Sequence, residues 1–294
     1  MRLRNQLFSL AIVAASLLAG GTAHAAPDDA ALAALTELSL ELADIGATEG
    51  EASAGGPVRF VHGNQVWQPG RQYAQGSGWL ALACEDTRCA LRPAALSVTA
   101  KSWKGHYDER PTKGQQLDFQ LEGGASKAVQ VVAWFAPRQT AAFLKPGEVA
   151  SYRVSRSTMG GSFESVVRTP DGEARFVPLL WSTKQWPPSE RLQLERLGAP
   201  ALLLQLRVGQ KRQLLPGLLA TCSGHLRGTQ YLLWAGDLDR DGMPDFMVSY
   251  IDGAGPVHLY LSSLAKPGRL VGLAGVHHSA PLEGECDGNE LAGR

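Results

Sequence analysis

Glycine and proline recur too often along this chain for long helices to survive between them, with 33 glycines and 17 prolines among 294 residues. Between these breaks Val, Leu, Trp and Phe cluster in short runs of strand length. The expected fold is therefore mostly β, with antiparallel sheets arranged as a sandwich or as two β subdomains. One stretch departs from this pattern. Ala30 to Ile45 is rich in Ala and Leu, and its period fits either a short helix or a strand.

Several pairs of runs carry their own turn. Trp79–Ala83 and Ala90–Val98 flank Glu85-Asp86-Thr87-Arg88 and predict a hairpin that brings Cys84 and Cys89 face to face. Phe163–Arg168 and Glu173–Val177 flank Thr169-Pro170-Asp171-Gly172, where Asp-Gly supplies the positive φ of a tight turn. Pro178 cannot donate to a ladder, so its strand is expected at an edge or near its end. Leu117–Leu121 and Ala128–Phe135, separated by Glu122-Gly123-Gly124-Ala125-Ser126, predict a third hairpin. Further strands are expected at 192–194, 201–208, 211–215, 231–235, 245–251 and 257–262. Pro187-Pro188 after Trp186 is a stiff break that no helix or central strand tolerates. The domain organisation drawn from these signals is a leader over 1–25, a helix or linker over 26–56, and β subdomains over 57–185 and 186–294. No internal repeat appears at the periods that mark solenoids or propellers.

The leader has three parts: Arg2 and Arg4, the apolar stretch Leu7–Leu18, and Ala23-His24-Ala25 before Ala26. That is the pattern of a secretory signal peptide, too short in its apolar core for a comfortable bilayer span. The expected address is a bacterial periplasm or the medium, with no membrane span in the mature chain. Loss of Arg2 and Arg4 from 28 basic residues leaves 26 against 28 acidic ones, without long runs of either sign. A nucleic-acid partner is not expected, because phosphate neutralisation needs a concentrated basic face.

All four cysteines, Cys84, Cys89, Cys222 and Cys286, follow the leader, and an even count in an oxidising compartment favours two disulfides. Three pairings are formally open. The hairpin geometry favours Cys84 with Cys89, which leaves Cys222 with Cys286 by elimination. Zinc is disfavoured by the compartment and by the absence of paired Cys-x-x-Cys spacing.

The residues that suggest specific chemistry are Asp237-Leu238-Asp239-Arg240-Asp241-Gly242-Met243-Pro244-Asp245. Carboxylates at positions 1, 3, 5 and 9, a Gly at 6 for the sharp turn and the carbonyl of Met243 at 7 offer oxygens to one hard cation. Four such groups in nine residues repel one another, and a divalent ion removes that repulsion. All-oxygen ligation on a flexible loop favours calcium over zinc, copper or iron, and over magnesium with its rigid octahedron. The bland alternative is a solvated turn between two strands. An EF-hand is disfavoured, because position 12 is Val248 rather than Glu, and Pro244 precedes a strand-like run.

Gly236–Val248 instead resembles the calcium loops of FG-GAP and VCBS-type repeats, which run Asp-x-Asp-x-Asp-Gly-x-x-Asp between β-strands. The resemblance implies one structural calcium held by Asp237, Asp239, Asp241 and Asp245. It covers about thirteen residues and a single copy, so neither a propeller nor the adhesion role of multi-copy proteins follows from it.

Other motifs are weaker. His277-His278 reads as a solvated loop rather than a metal pair, because neighbours on a strand point to opposite faces. Trp103-Lys104-Gly105-His106-Tyr107-Asp108-Glu109 mixes aromatic and acidic groups as glycan sites do, and as ordinary strand ends do. Gly160-Gly161-Ser162-Phe163-Glu164 lacks the last glycine of a nucleophile elbow, and Ser263-Leu264-Ala265-Lys266 has no companion motif. The functional expectation is a non-enzymatic envelope or secreted module with a glycan or protein partner. The alternative is a secreted hydrolase of polysaccharide or peptide that uses calcium only as scaffold.

Overall fold

The structure, a computed structural model, describes residues 56–63, 65–69, 73–104, 110–124, 126–137, 143–157, 164–180, 202–219, 231–250 and 256–278. The leader, the helix-or-strand segment after it, Trp186 with Pro187-Pro188, Cys222 and Cys286 lie outside the described residues. Among the described residues sixteen strands form, in chain order β1 (Phe60–Val61), β2 (Gln65–Pro69), β3 (Gly76–Glu85), β4 (Arg88–Trp103), β5 (Thr112–Leu121), β6 (Gln130–Phe135), β7 (Gly147–Ser151) and β8 (Val154–Ser157). They continue as β9 (Glu164–Thr169), β10 (Gly172–Leu180), β11 (Leu202–Val208), β12 (Lys211–Leu219), β13 (Leu232–Asp237), β14 (Asp245–Ser249), β15 (Pro256–Leu261) and β16 (Gly272–His278). Every pairing is antiparallel. The mostly β, antiparallel expectation holds.

The larger sheet runs β1-β6-β3-β4-β7-β13-β14-β15-β16, with β5 and β2 branching from β4. Its two ends meet, since the Val58 amide donates to the Ala274 carbonyl at 2.8 Å, and the sheet is a nearly closed barrel. Side chains alternate across it. Leu82, Leu91, Phe135, Val149, Trp234, Met247, Leu259 and Ala274 share one buried cluster that fills the barrel. β14 and β15 are covered on both faces, so Asp245–Val248 and Val257–Leu261 are buried throughout.

Among the described residues two outer layers flank the barrel. The second sheet, β12-β11-β10-β9-β8, lays Phe176, Leu204, Leu206 and Leu215 on the outward side chains Phe246, Val248, Tyr250 and Tyr260. Phe176 meets Phe246 edge to face at 4.8 Å. Polar stitches register the sheets: the Tyr231 hydroxyl receives the Ser165 amide and donates to the Phe176 carbonyl, both at 3.0 Å. The buried amide of Gln213 donates to the Val271 carbonyl and accepts from the amides of Leu270 and Val271. On the other side β4 is long enough to change partners, pairing β7 through Arg88–Leu91 and β5 through Ala94–Trp103. The β5–β2 leaf folds over β3 and β6, where Phe119 packs against Trp79 and Trp134 at 5.0 and 4.8 Å.

Two of the three hairpins form as the sequence indicates. β3 and β4 pair Cys84 with Cys89 directly, the two are joined by a disulfide, and Asp86 in the turn takes φ 56°. β9 and β10 pair through Thr169 and Gly172, and β10 has lost β9 as a partner by the time it reaches Pro178. The third does not form. β5 pairs with β4 and β2, and β6 with β3 and β1, because each apolar run finds a longer ladder elsewhere than the turn between them offers. The larger sheet also takes strands from both sides of residue 186, joining β4 to β13 through β7.

Candidate metal centre

The acidic loop connects β13 to β14 on the barrel wall. Arg240 and Gly242 both take positive φ, 62° and 86°, and this tight path turns the intervening backbone amides inward. The Asp241 amide donates to Asp237 Oδ1 at 3.0 Å and the Gly242 amide to Asp237 Oδ2 at 3.1 Å. Arg240 holds the loop from outside by donating to the carbonyls of Phe143, Lys145 and Glu148 at 3.0 to 3.2 Å.

Asp245 sits at the base with no exposed surface. Its Oδ2 accepts from the Leu238 amide at 2.7 Å and its Oδ1 from the Ser262 amide at 2.8 Å. Carboxylate oxygens of Asp237, Asp239 and Asp245 lie within 4.8 Å of one another, the one such His, Cys, Asp or Glu grouping among the described residues. Burial pushes the Asp245 carboxyl up to about 7, with Asp239 adding to the rise and the Ser262 amide opposing it. Asp239 is also raised, first by burial and then by Asp241, against the bond from Ser263. The negative field reaches Tyr152, whose phenol is raised by burial and by Asp237 and Asp245.

Three of the four carboxylates named from sequence are thus brought together. Asp241 faces the rim, where its oxygens accept from the Met243 amide and the Ser262 hydroxyl, both at 2.8 Å. The Met243 side chain is 49% exposed. Sequence reasoning missed Ser262 and Ser263, which reach the loop from the 3-10 turn Ser262–Leu264 after β15. The Ser263 hydroxyl donates to Asp239, and that of Ser262 donates to Asp241 and Asp245. Nothing in their local spelling marks them, because they lie 17 or more residues from the aspartates they contact. As a donor set the centre fits calcium: all oxygen, polyanionic, and anchored at a fully buried carboxylate.

His277 and His278 occupy strand β16 rather than a loop, with His277 buried and His278 exposed, because the ladder with β15 extends to Pro256. A polar group that sequence reasoning overlooked lies on β15. His258 Nδ1 is 3.1 Å from the Tyr260 hydroxyl, which is 2.8 Å from the Tyr250 hydroxyl, all three buried. Among the described residues no helix is long and apolar enough to cross a membrane. No protein-family model, curated protein or solved structure matches this chain.

Proposed function

We propose that this chain is an exported, non-enzymatic β module of the periplasm or medium, whose 237–245 loop holds one structural calcium ion. The carrying observation is the convergence within 4.8 Å of three carboxylates, one of them fully buried. Burying mutually repelling carboxylates raises their pKa values, and a divalent cation is the group that relieves this. Asp237, Asp239 and Asp245 would hold the ion, with Asp241 and the Met243 carbonyl completing the rim as the FG-GAP and VCBS resemblance implies.

The ion would act as a clip. The loop already joins β13 and β14 to the turn after β15 through Ser262 and Ser263, and to residues 143–148 through Arg240. Extracellular calcium modules bind with Kd of roughly 10⁻⁴ to 10⁻³ M. At tenfold excess the ion then stabilises the fold by about 1.4 kcal/mol, a rise of roughly 3 to 5 °C in Tm for a chain of this size. Thermal melts in calcium, magnesium and chelator test this, with Asp239→Ala as control. Calcium is expected to raise Tm in the wild type and leave the variant unmoved; a wild-type melt indifferent to chelator refutes the metal.

A further inference from the structure

The β2–β5–β4 leaf has one face on the core and one on solvent. By register Trp67, Gln116 and Thr99 stand side by side, as do Pro69, Gly114 and Lys101, with Trp103 two residues beyond Lys101. Successive side chains alternate, so these residues share the face opposite the buried Val66, Leu96, Leu117 and Phe119. Solvent-facing strand positions are ordinarily polar, yet two half-buried indoles stand here outside the three buried core clusters.

Trp67 and Trp103 lie with ring centroids 6.4 Å apart and planes tilted by 41°. Trp67 is laid flat. A Cβ on Gly114 would come within 2.8 Å of its six-membered ring, so one ring face rests on bare backbone, and the side chain as a whole is half-buried. Its Nε1 donates to the Lys101 carbonyl at 3.3 Å, which fixes the ring in plane. The Lys101 ammonium reaches Gln116 Oε1 at 3.4 Å and stands between the two indoles in register. Lys104, Arg110 and Lys113 are exposed around the same hairpin end, and Asp118 lies farther along β5.

We propose that this face binds a single polysaccharide chain of carboxylated sugars, with Trp67 and Trp103 stacking on successive rings and Lys101 meeting a carboxylate. The negative face of an indole attracts the axial C–H groups on a pyranose ring, which are weakly positive. Two indoles at this spacing suit neighbouring sugar rings, and their tilt suits one twisted chain rather than a flat crystalline surface. Gln116 and Thr99 supply hydrogen-bonding groups for hydroxyls beside the rings. The cation within the platform selects acidic sugars by charge complementarity.

A saccharide partner gives the exported, non-enzymatic module proposed above its ligand and so rests on that reading, although calcium binding is read by the melts and glycan binding by a separate titration. Oligogalacturonate is titrated into the full chain while tryptophan fluorescence is followed, with cellohexaose and poly-glutamate as comparators. Expected are saturable quenching by oligogalacturonate, roughly tenfold weaker binding in Trp103→Ala, and roughly threefold weaker binding in Lys101→Gln at unchanged Tm. No binding at millimolar saccharide overturns the proposal, as does unaltered affinity when Trp103→Ala and Lys101→Gln are combined. Equal affinity for cellohexaose overturns the acidic-sugar assignment, and equal affinity for poly-glutamate assigns the face to an acidic polypeptide instead.

Discussion

Lowering the pH from 7.5 to 5 should remove stability that His258 contributes at neutral pH. Its ring lies 4.6 Å from that of Tyr250, bonds to the Tyr260 hydroxyl, and is buried. Burial, and secondarily the nearby His278, hold its imidazole down to about 4 against an ordinary 6.5. The native state therefore prefers the neutral ring. Below 6.5 the unfolded chain takes up a proton that the folded chain refuses, so stability present at neutral pH is lost as pH falls toward 4. The full gap corresponds to about 3 kcal/mol, and about 2 kcal/mol of it is gone by pH 5. Other groups titrate over the same range, so the informative quantity is the difference between wild type and His258→Phe. The variant keeps a ring against Tyr250 and leaves the Tyr250–Tyr260 hydroxyl bond in place. Urea denaturation of both proteins at pH 5, 6 and 7.5 should show the difference shift by about 2 kcal/mol against the wild type on acidification. Parallel stability curves would refute the assignment of a buried neutral imidazole.

Asp245 predicts the opposite trend. Its folded carboxyl stands at about 7 against an ordinary 3.8, so in chelator stability is fullest below 3.8 and falls as pH rises through 7. About 2 to 3 kcal/mol should be lost between pH 5 and 8; chelator melts across that range read it, and saturating calcium should abolish the decline. Tyr231→Phe should cost about 2 kcal/mol by leaving the Ser165 amide and the Phe176 carbonyl without the hydroxyl between them. Denaturant midpoints measure that loss, and faster amide exchange confined to β8–β12 would locate it at the contact between sheets.

The strands were legible where local pattern and turn chemistry agreed. The Cys84–Cys89 hairpin could be read because its turn is four residues long and its runs alternate, and the β9–β10 hairpin because Pro170 and Asp171 make its turn and Gly172 takes the positive φ that follows. The failed hairpin between β5 and β6 has a turn of the right composition, but turn composition says nothing of the competing ladders. β5 makes ten paired positions with β4 and five with β2, which no count along the sequence foresees. The aspartates of the candidate centre were legible because their spacing is local. Ser262, Ser263 and Arg240's carbonyl partners were not, since they reach the loop from other elements.

Sequence alone determined the class of fold and the chemistry of the loop, since the density of breaks excludes long helices and alternating aspartates set the donor type. Tertiary structure decided which face each strand shows and which strands meet. It buried Asp245, set the second sheet on β14 and β15, and brought Trp67 and Trp103 together on one face of the β2–β5–β4 leaf. The reason is that side-chain period specifies two faces for a strand, while only pairing across long separations assigns one of them to the core.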